Sequence, residues 1–238
     1  MLPKAILFDL DDTILSYDNA GDLAWAECCR CFIRENAPEF TESALVDQLN
    51  KTRRWYWSDP ERHRLGRLDL LKARREIVRL ALKELNHPQE EHAVGMADQY
   101  NRRQEELLCL FPDSLATLEK LQASGVRMAL LTNGSSETQR GKISRFCLND
   151  FFEFCLVEGE LGYGKPDIRV YAMALEKLGL APEEVWMVGD NLVWDVEAAQ
   201  KAGIFAIWND FRGKGLPEAS SIRPDRIVRS IAELVPAG

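Results

Sequence analysis

Short apolar runs alternate with helix-patterned stretches over the second half of the chain, and this alternation constrains the fold more than any other feature. Val126-Arg127-Met128-Ala129-Leu130-Leu131, Phe154-Cys155-Leu156-Val157, Val185-Trp186-Met187-Val188 and Ile204-Phe205-Ala206-Ile207-Trp208 read as strands. Their near-continuous apolar character suits strands buried on both faces. Helices fill the gaps. One carries Leu115, Leu118 and Leu121 and closes at Gly125; a second runs to about Cys147. A third starts at Pro166, as first helical residue, and stops at Gly179; a fourth covers Val193 to Ala202. Residues 4–9 add an N-terminal strand, and Asp225 to Val228 a last short one. This order predicts an α/β fold, a parallel sheet with helices on both faces. Ligands in such sheets bind outside the carboxyl ends of the strands, where the strand order reverses.

From about Tyr17 to Leu110 the pattern is helical, with no convincing strand. Leu23, Ala26, Phe32 and Ile33 mark a first helix face, and Leu45 and Leu49 lead a second helix into Trp55, Tyr56 and Trp57. Leu68, Leu71, Val78, Leu82 and Leu85 trace a third, and Val94, Ala97, Leu107 and Leu108 a fourth. Breaks fall near Asn36-Ala37-Pro38, Ser58-Asp59-Pro60 and Asn86-His87-Pro88. Four helices with short links predict a small antiparallel bundle. Ser58 to Arg67, with Arg62, Arg64 and Arg67, reads as a polar loop within it. The chain thus divides into a core of residues 1–16 and 111–238 and a helical insert of residues 17–110, sizes that 238 residues can support.

The first strand runs straight into Asp9-Leu10-Asp11-Asp12-Thr13, which puts three carboxylates on four consecutive residues. Desolvating a carboxylate is costly unless it is paired or binds a metal. Clustered at a strand end, such acids point to a hard cation, since Mg²⁺ takes oxygen ligands. Alone, the cluster also suits a helix N-cap, the reading kept for Asp12. Three further pieces follow in order: Leu131-Thr132-Asn133-Gly134, Gly164-Lys165-Pro166-Asp167, and Gly189-Asp190 with Asp195 five residues later.

In this order and spacing the motifs resemble those of the haloacid dehalogenase superfamily of aspartate-nucleophile hydrolases, and the resemblance covers nearly the whole chain. Motif one matches Asp9 and Asp11, motif two Thr132, motif three Lys165, and motif four Asp190 and Asp195. The resemblance implies a Rossmann-like core, with the insert as an α-helical cap over the cleft. It implies Mg²⁺ as cofactor, touched by Asp9, Asp190 and the Asp11 backbone carbonyl, with Asp195 orienting the metal's waters. Asp9 is then the nucleophile of an aspartyl-phosphate route. Asp11, two residues on, can project to the same side and move protons for the leaving group and the water. Thr132 and the backbone N–H groups of Asn133-Gly134 can hold phosphoryl oxygens, and Lys165 can neutralise both phosphate and Asp9.

Two neighbouring families fit less well. Phospho-receiver domains resemble this set, but their lysine comes last, whereas Lys165 precedes Asp190 and Asp195. Haloacid dehalogenases lack the second motif-one aspartate, because halide departure needs no proton. The expected activity is Mg²⁺-dependent hydrolysis of a small phosphate monoester; the expected partner is a small phosphorylated metabolite. A phosphomutase shares the catalytic set, and a non-catalytic phosphate-sensing partner protein is a further reading, against which Asp11 speaks. Substrate choice falls to the insert, where Arg64 and Arg67 are the candidate substrate contacts. The cluster Arg53, Arg54, Trp55, Tyr56 and Trp57 reads first as packing, because aromatics dominate packing wherever they occur.

A formal net charge of −8 argues against nucleic acid as a partner. No stretch is apolar for long enough to span a membrane, and Asp9 interrupts the N-terminal apolar run too early for a signal peptide. The expectation is therefore a cytoplasmic monomer or homodimer with no membrane partner. Six cysteines fit buried free thiols, and the C-x-x-C spacing of Cys28 and Cys31 has no second pair to complete a zinc site. His63, His87 and His92 all lie in the insert and are given no catalytic role.

Overall fold

The structure is a computed structural model and describes residues 2–235. The chain divides into two compact units: one runs to Ser16 and resumes at Leu110, and the other is Tyr17–Cys109. Leu110 stays with the first unit through its antiparallel bridge to Leu15.

The elements in chain order are β1 (Ala5–Phe8), α1 (Tyr17–Asn36), α2 (Glu42–Ser58), α3 (Pro60–Leu68), α4 (Leu70–Glu84), α5 (Glu90–Leu107) and α6 (Ser114–Ala123). There follow β2 (Arg127–Thr132), α7 (Ser136–Arg145), β3 (Cys155–Val157), α8 (Glu158–Leu161), α9 (Ile168–Leu178), β4 (Val185–Gly189), α10 (Ala198–Lys201), β5 (Phe205–Asn209) and β6 (Arg226–Val228).

The first unit is a six-stranded, all-parallel sheet of order β3-β2-β1-β4-β5-β6. The predicted α/β, Rossmann-like arrangement is therefore present. β1 lies at the centre, and the chain winds away from it in both directions, which makes its carboxyl end the switch point. Every residue of β1 is buried, because side chains alternate between two covered faces. Ala5 and Leu7 join Val170, Tyr171, Ala174 and Leu178 of α9 in one core cluster. Phe8 turns the other way and meets Phe152 edge-on.

Two helix starts differ from the expectation. Pro166 does not open α9; Asp167 is the N-cap and accepts from Arg169 N–H at 3.0 Å, so the helix begins at Ile168. The stretch expected as a helix from Val193 begins as a wide turn over Leu192–Glu197 and narrows only at α10. The Asn191 carbonyl takes the N–H of both Asp195 and Val196, at 2.8 and 3.3 Å, which widens the first turn.

The second unit is all helix, with five helices where four are expected. The break expected at Ser58-Asp59-Pro60 is present, since α2 ends at Ser58, but it also starts a further helix: the Asp59 carboxylate accepts from Arg62 N–H at 2.8 Å, and Pro60 occupies the first turn. The expected loop Ser58 to Arg67 is thus mostly α3, and Leu68 ends it instead of joining α4. Asp69 then caps α4 through Lys72 N–H at 3.1 Å. The missing apolar periodicity of Pro60–Leu68 hid this helix. Gly66 lies so close to Tyr56 and Trp57 that a side chain there would meet both rings.

The buried face of α1 is Ala24, Trp25, Cys28, Cys29 and Phe32, not the expected stripe with Leu23, which is 57% exposed. Trp25 fixes the rotation by stacking on Tyr100 of α5, ring centroids 3.8 Å apart. Cys28 and Cys29 are free and buried, and burial pushes each thiol up to about 12. Such thiols are inert packing groups. No helix among the described residues is long and apolar enough to cross a membrane.

Candidate active site

Five connections after strands supply the site, and each is shaped by local hydrogen bonding. Behind Asp9 the chain folds into a tight turn. Ile14 and Leu15 N–H both reach the Leu10 carbonyl, and Asp12 N–H reaches Leu15 O at 2.7 Å. Asp12 sits in the left-handed region at φ 58, which aspartate tolerates better than most residues. It is a turn residue, and no helix begins there; the N-cap reading of Asp12 does not hold. Asn209 at the end of β5 pins the turn by donating to Asp12 O at 3.0 Å.

The turn leaves Asp9 at the carboxyl end of β1, its N–H bonded to Val188 O of β4. Its carboxylate accepts from Lys165 Nζ at 2.5 Å, and Lys165 also donates to Asp195 at 2.6 Å. The ammonium is 2% exposed and Asp195 1%. Burial pulls the Lys165 ammonium down in pKa, but Asp195 and Asp9 more than offset this and hold it above its usual value. Burial pushes the Asp9 carboxyl up to about 7, Lys165 opposes the rise, and Asp195 and Asp11 add to it. Asp190, just after β4, is raised well above the ordinary range by burial and then by the charges of Asp9, Asp195 and Asp12.

One lysine thus faces more acid than it can neutralise. Oxygens of Asp9, Asp190 and Asp195 lie within 4.8 Å of one another. A surplus of desolvated hard oxygen donors fits a divalent cation. The three acids do not have equal shares in it. Both Asp195 oxygens are engaged, one by Lys165 and the other by Asn191 N–H at 2.9 Å. That arrangement suits orientation more than direct ligation. Trp208 Nε1 donates to Asp190 O at 2.7 Å and fixes the Asp190 backbone.

Thr132 ends β2 with its hydroxyl 3% exposed as a residue and accepting from Gln139 Nε2 at 2.8 Å. Asn133 does something the sequence reading did not foresee. Its amide clamps the Lys165 backbone, donating to Lys165 O at 2.6 Å and accepting from Lys165 N–H at 2.8 Å. Gly164 must be glycine, because a β-carbon would overlap the Asn133 amide. The expected Gly134 N–H is also engaged, donating to the buried Glu158 at 3.0 Å. Motif two therefore offers the Thr132 hydroxyl, while Asn133 and Gly134 brace motif three and α8.

Asp11 points to α7. Lys142 Nζ lies 2.8 and 2.6 Å from its two oxygens, and Gln139 Nε2 donates to it at 3.2 Å. Neither Gln139 nor Lys142 was expected; their spacing of three on the helix after motif two is the cue that a reading of motifs alone passes over. Asp9, Asp11, Thr132, Lys165, Asp190 and Asp195 all fall at this one end of the sheet. Arg64 and Arg67 belong to the helical unit. Arg64 is bidentate with Glu61 at 3.0 and 2.7 Å, and Arg67 lies 3.3 Å from His63 Nδ1.

Comparison with known proteins adds three likenesses. A phosphoserine phosphatase of Thermus thermophilus is 39% identical over 68% of this chain, and the aligned part spans 63% of that enzyme's length. The (S)-2-haloacid dehalogenase 4A of Burkholderia cepacia is 28% identical over 98% of this chain and 94% of its own. The fold matches the magnesium-bound HAD hydrolase YfnB of Bacillus subtilis with a TM-score of 0.76, at 24% identity, over 98% of this chain and 97% of that one. Residues 3–203 match the family model for haloacid dehalogenase-like hydrolases, and with its motifs gathered at one sheet end this chain belongs to that family of enzymes.

Proposed function

We propose that the protein is a Mg²⁺-dependent phosphatase that hydrolyses a small phosphate monoester through an aspartyl-phosphate on Asp9. The observation that carries the reading is the pairing of Asp9 with the buried Lys165 at 2.5 Å, beside acids in excess of that one cation. Asp9, Asp190 and the Asp11 carbonyl would hold Mg²⁺, which when bound would supply charge neutralisation for the carboxylates and the phosphate. Lys165 offsets the remaining charge of nucleophile and phosphate, and Asp195 holds Lys165 in place. The Thr132 hydroxyl binds a phosphoryl oxygen.

An Asp9 oxygen forms a bond to phosphorus as the bond to the leaving oxygen breaks, and Asp11 gives that oxygen a proton. Asp11 then takes a proton from the water that attacks the phospho-aspartate, releasing inorganic phosphate and restoring Asp9. Asp11 favours phosphate transfer over halide displacement, which needs no acid. The similarity to a phosphoserine phosphatase supports a small phosphorylated metabolite as substrate. The helical unit Tyr17–Cys109 is the proposed cap, with Arg64 and Arg67 as its selectivity residues.

A phosphate-release assay over phosphoserine, triose, sugar and nucleoside phosphates, with Mg²⁺, tests the proposal. Release that disappears in Asp9→Asn supports it. No release from any ester, or isomerised phosphosugar without release, rejects it.

A further inference from the structure

We infer that Lys142 and Gln139 are positioning residues for Asp11, holding its carboxyl for proton transfer. The inference rests on the reading of Asp11 as the acid and base. The motivating geometry is a bidentate ion pair that joins the β1 turn to α7. Lys142 Nζ contacts both Asp11 oxygens, at 2.6 and 2.8 Å, with the lysine side chain 9% and the Asp11 side chain 25% exposed. A sheltered ammonium gives up hydration and regains it only through a well-placed anion. Two contacts to the two oxygens of one carboxylate restrict its rotation, which a single contact does not.

Gln139 adds a second constraint. Its Nε2 lies 3.2 Å from Asp11 Oδ2, 2.8 Å from Thr132 Oγ1 and 2.5 Å from Asn133 O. The orientation of this amide is set by Asn133 O, since reversing it would place Oε1 against a backbone carbonyl, which cannot donate. Gln139 is 3% exposed, and its Oε1 is buried without a protein donor. A core residue chosen for packing alone has no need of an amide with one end unmatched. The Nε2 therefore links the acid to the hydroxyl proposed to hold phosphate, so both sit in one frame set by α7. Lys142 and Gln139 are three apart, which places them on the same helix face.

The test compares kcat on an alkyl phosphate and an aryl phosphate, because phenolate leaves with less proton help. Lys142→Met should lose about tenfold or more in kcat on the alkyl ester, with little change in KM and a smaller loss on the aryl ester. Lys142→Arg should recover part of the loss. Asp11→Asn should show the same pattern more strongly, and adding Lys142→Met to it should lower the rate no further. Gln139→Leu, which keeps the ion pair, should show the pattern more weakly and serves if Lys142→Met does not fold. Equal losses on both esters at unchanged melting temperature, or additive losses in the double variant, would overturn the inference and leave the phosphatase reading standing. If Asp11→Asn itself lost the same factor on both esters, the acid–base reading would fail, and the inference with it.

Discussion

The Asp195 carboxyl occupies the space that a β-carbon on Gly189 would need. β4 ends at Gly189, and the wide turn after Asn191 brings Asp195 back against it. In that position Asp195 meets Lys165 at 2.6 Å. Gly189→Ala should therefore push Asp195 off Lys165. The expected result is a loss of about 1–3 kcal/mol of stability from overpacking, with a fall in activity larger than that stability loss explains. Denaturant unfolding beside phosphate-release kinetics would check it. A variant with wild-type activity would show that Asp195 has no part in setting the site.

Asp9→Asn should abolish turnover and leave the sheet intact. The amide keeps the shape at the end of β1 but lacks the charge that attacks phosphorus. Phosphate release and circular dichroism decide this together, and substantial residual turnover would remove Asp9 as nucleophile.

The same variant carries a pH signature. The Asp9 carboxyl is raised from its ordinary 3.8 to about 7, first by burial. A folded-state pKa above the unfolded one gives stability that is full below the unfolded value and is lost as pH rises through the folded value. Metal-free wild type should thus lose stability relative to Asp9→Asn between about pH 4 and 7 and level off above that. Melting curves in chelator measure the difference, and parallel curves for the two proteins would contradict the raised value.

Metal should act in the opposite sense. Cation binding needs ionised carboxylates, so the rise in melting temperature with Mg²⁺ should be larger at pH 8 than at pH 5. Activity should vanish in excess chelator. Ca²⁺ should inhibit, because it accepts more oxygen ligands and can capture both Asp9 oxygens. Full activity in chelator would end the metal proposal.

The sheet could be read from the residues because strands buried on both faces must be apolar throughout, and the candidate site acids interrupt those runs at one end. Asp9 and Asp190 are visible for that reason, and Thr132 and Lys165 because they complete a motif set in a fixed order. Lys142 and Gln139 were not, since a lysine and a glutamine on a helix look like surface residues until the tertiary structure brings Asp11 to them. Asn133 was assigned to the ligand because its contact with the Lys165 backbone spans 32 positions and leaves no local trace. In the helical unit, α3 was missed because capping by Asp59, not an apolar stripe, starts it. Trp25 and the adjacent buried thiols of Cys28 and Cys29, not Leu23, decide how α1 is rotated.

The helical unit carries the last prediction. α3 bears Arg62, Arg64 and Arg67 on nine residues. Arg62 is tied to the end of α2, donating to the Tyr56 and Trp55 carbonyls at 3.2 and 2.9 Å with its guanidinium over the Trp55 ring. Arg62→Ala should therefore loosen the α2–α3 corner and lower stability. Arg64 and Arg67 bond to Glu61 and His63 within α3 itself. Replacing Arg64 by alanine should cost the fold little, since an exposed ion pair such as Arg64–Glu61 contributes little. If these two arginines select substrate, Arg64→Ala and Arg67→Ala should change the ratio of kcat/KM among phosphorylated metabolites and spare a small aryl phosphate, which draws no binding energy from remote groups. Equal rate factors on every ester would reject them as selectivity residues. Unchanged rates on all of them would make α3 a solvated face of the helical unit.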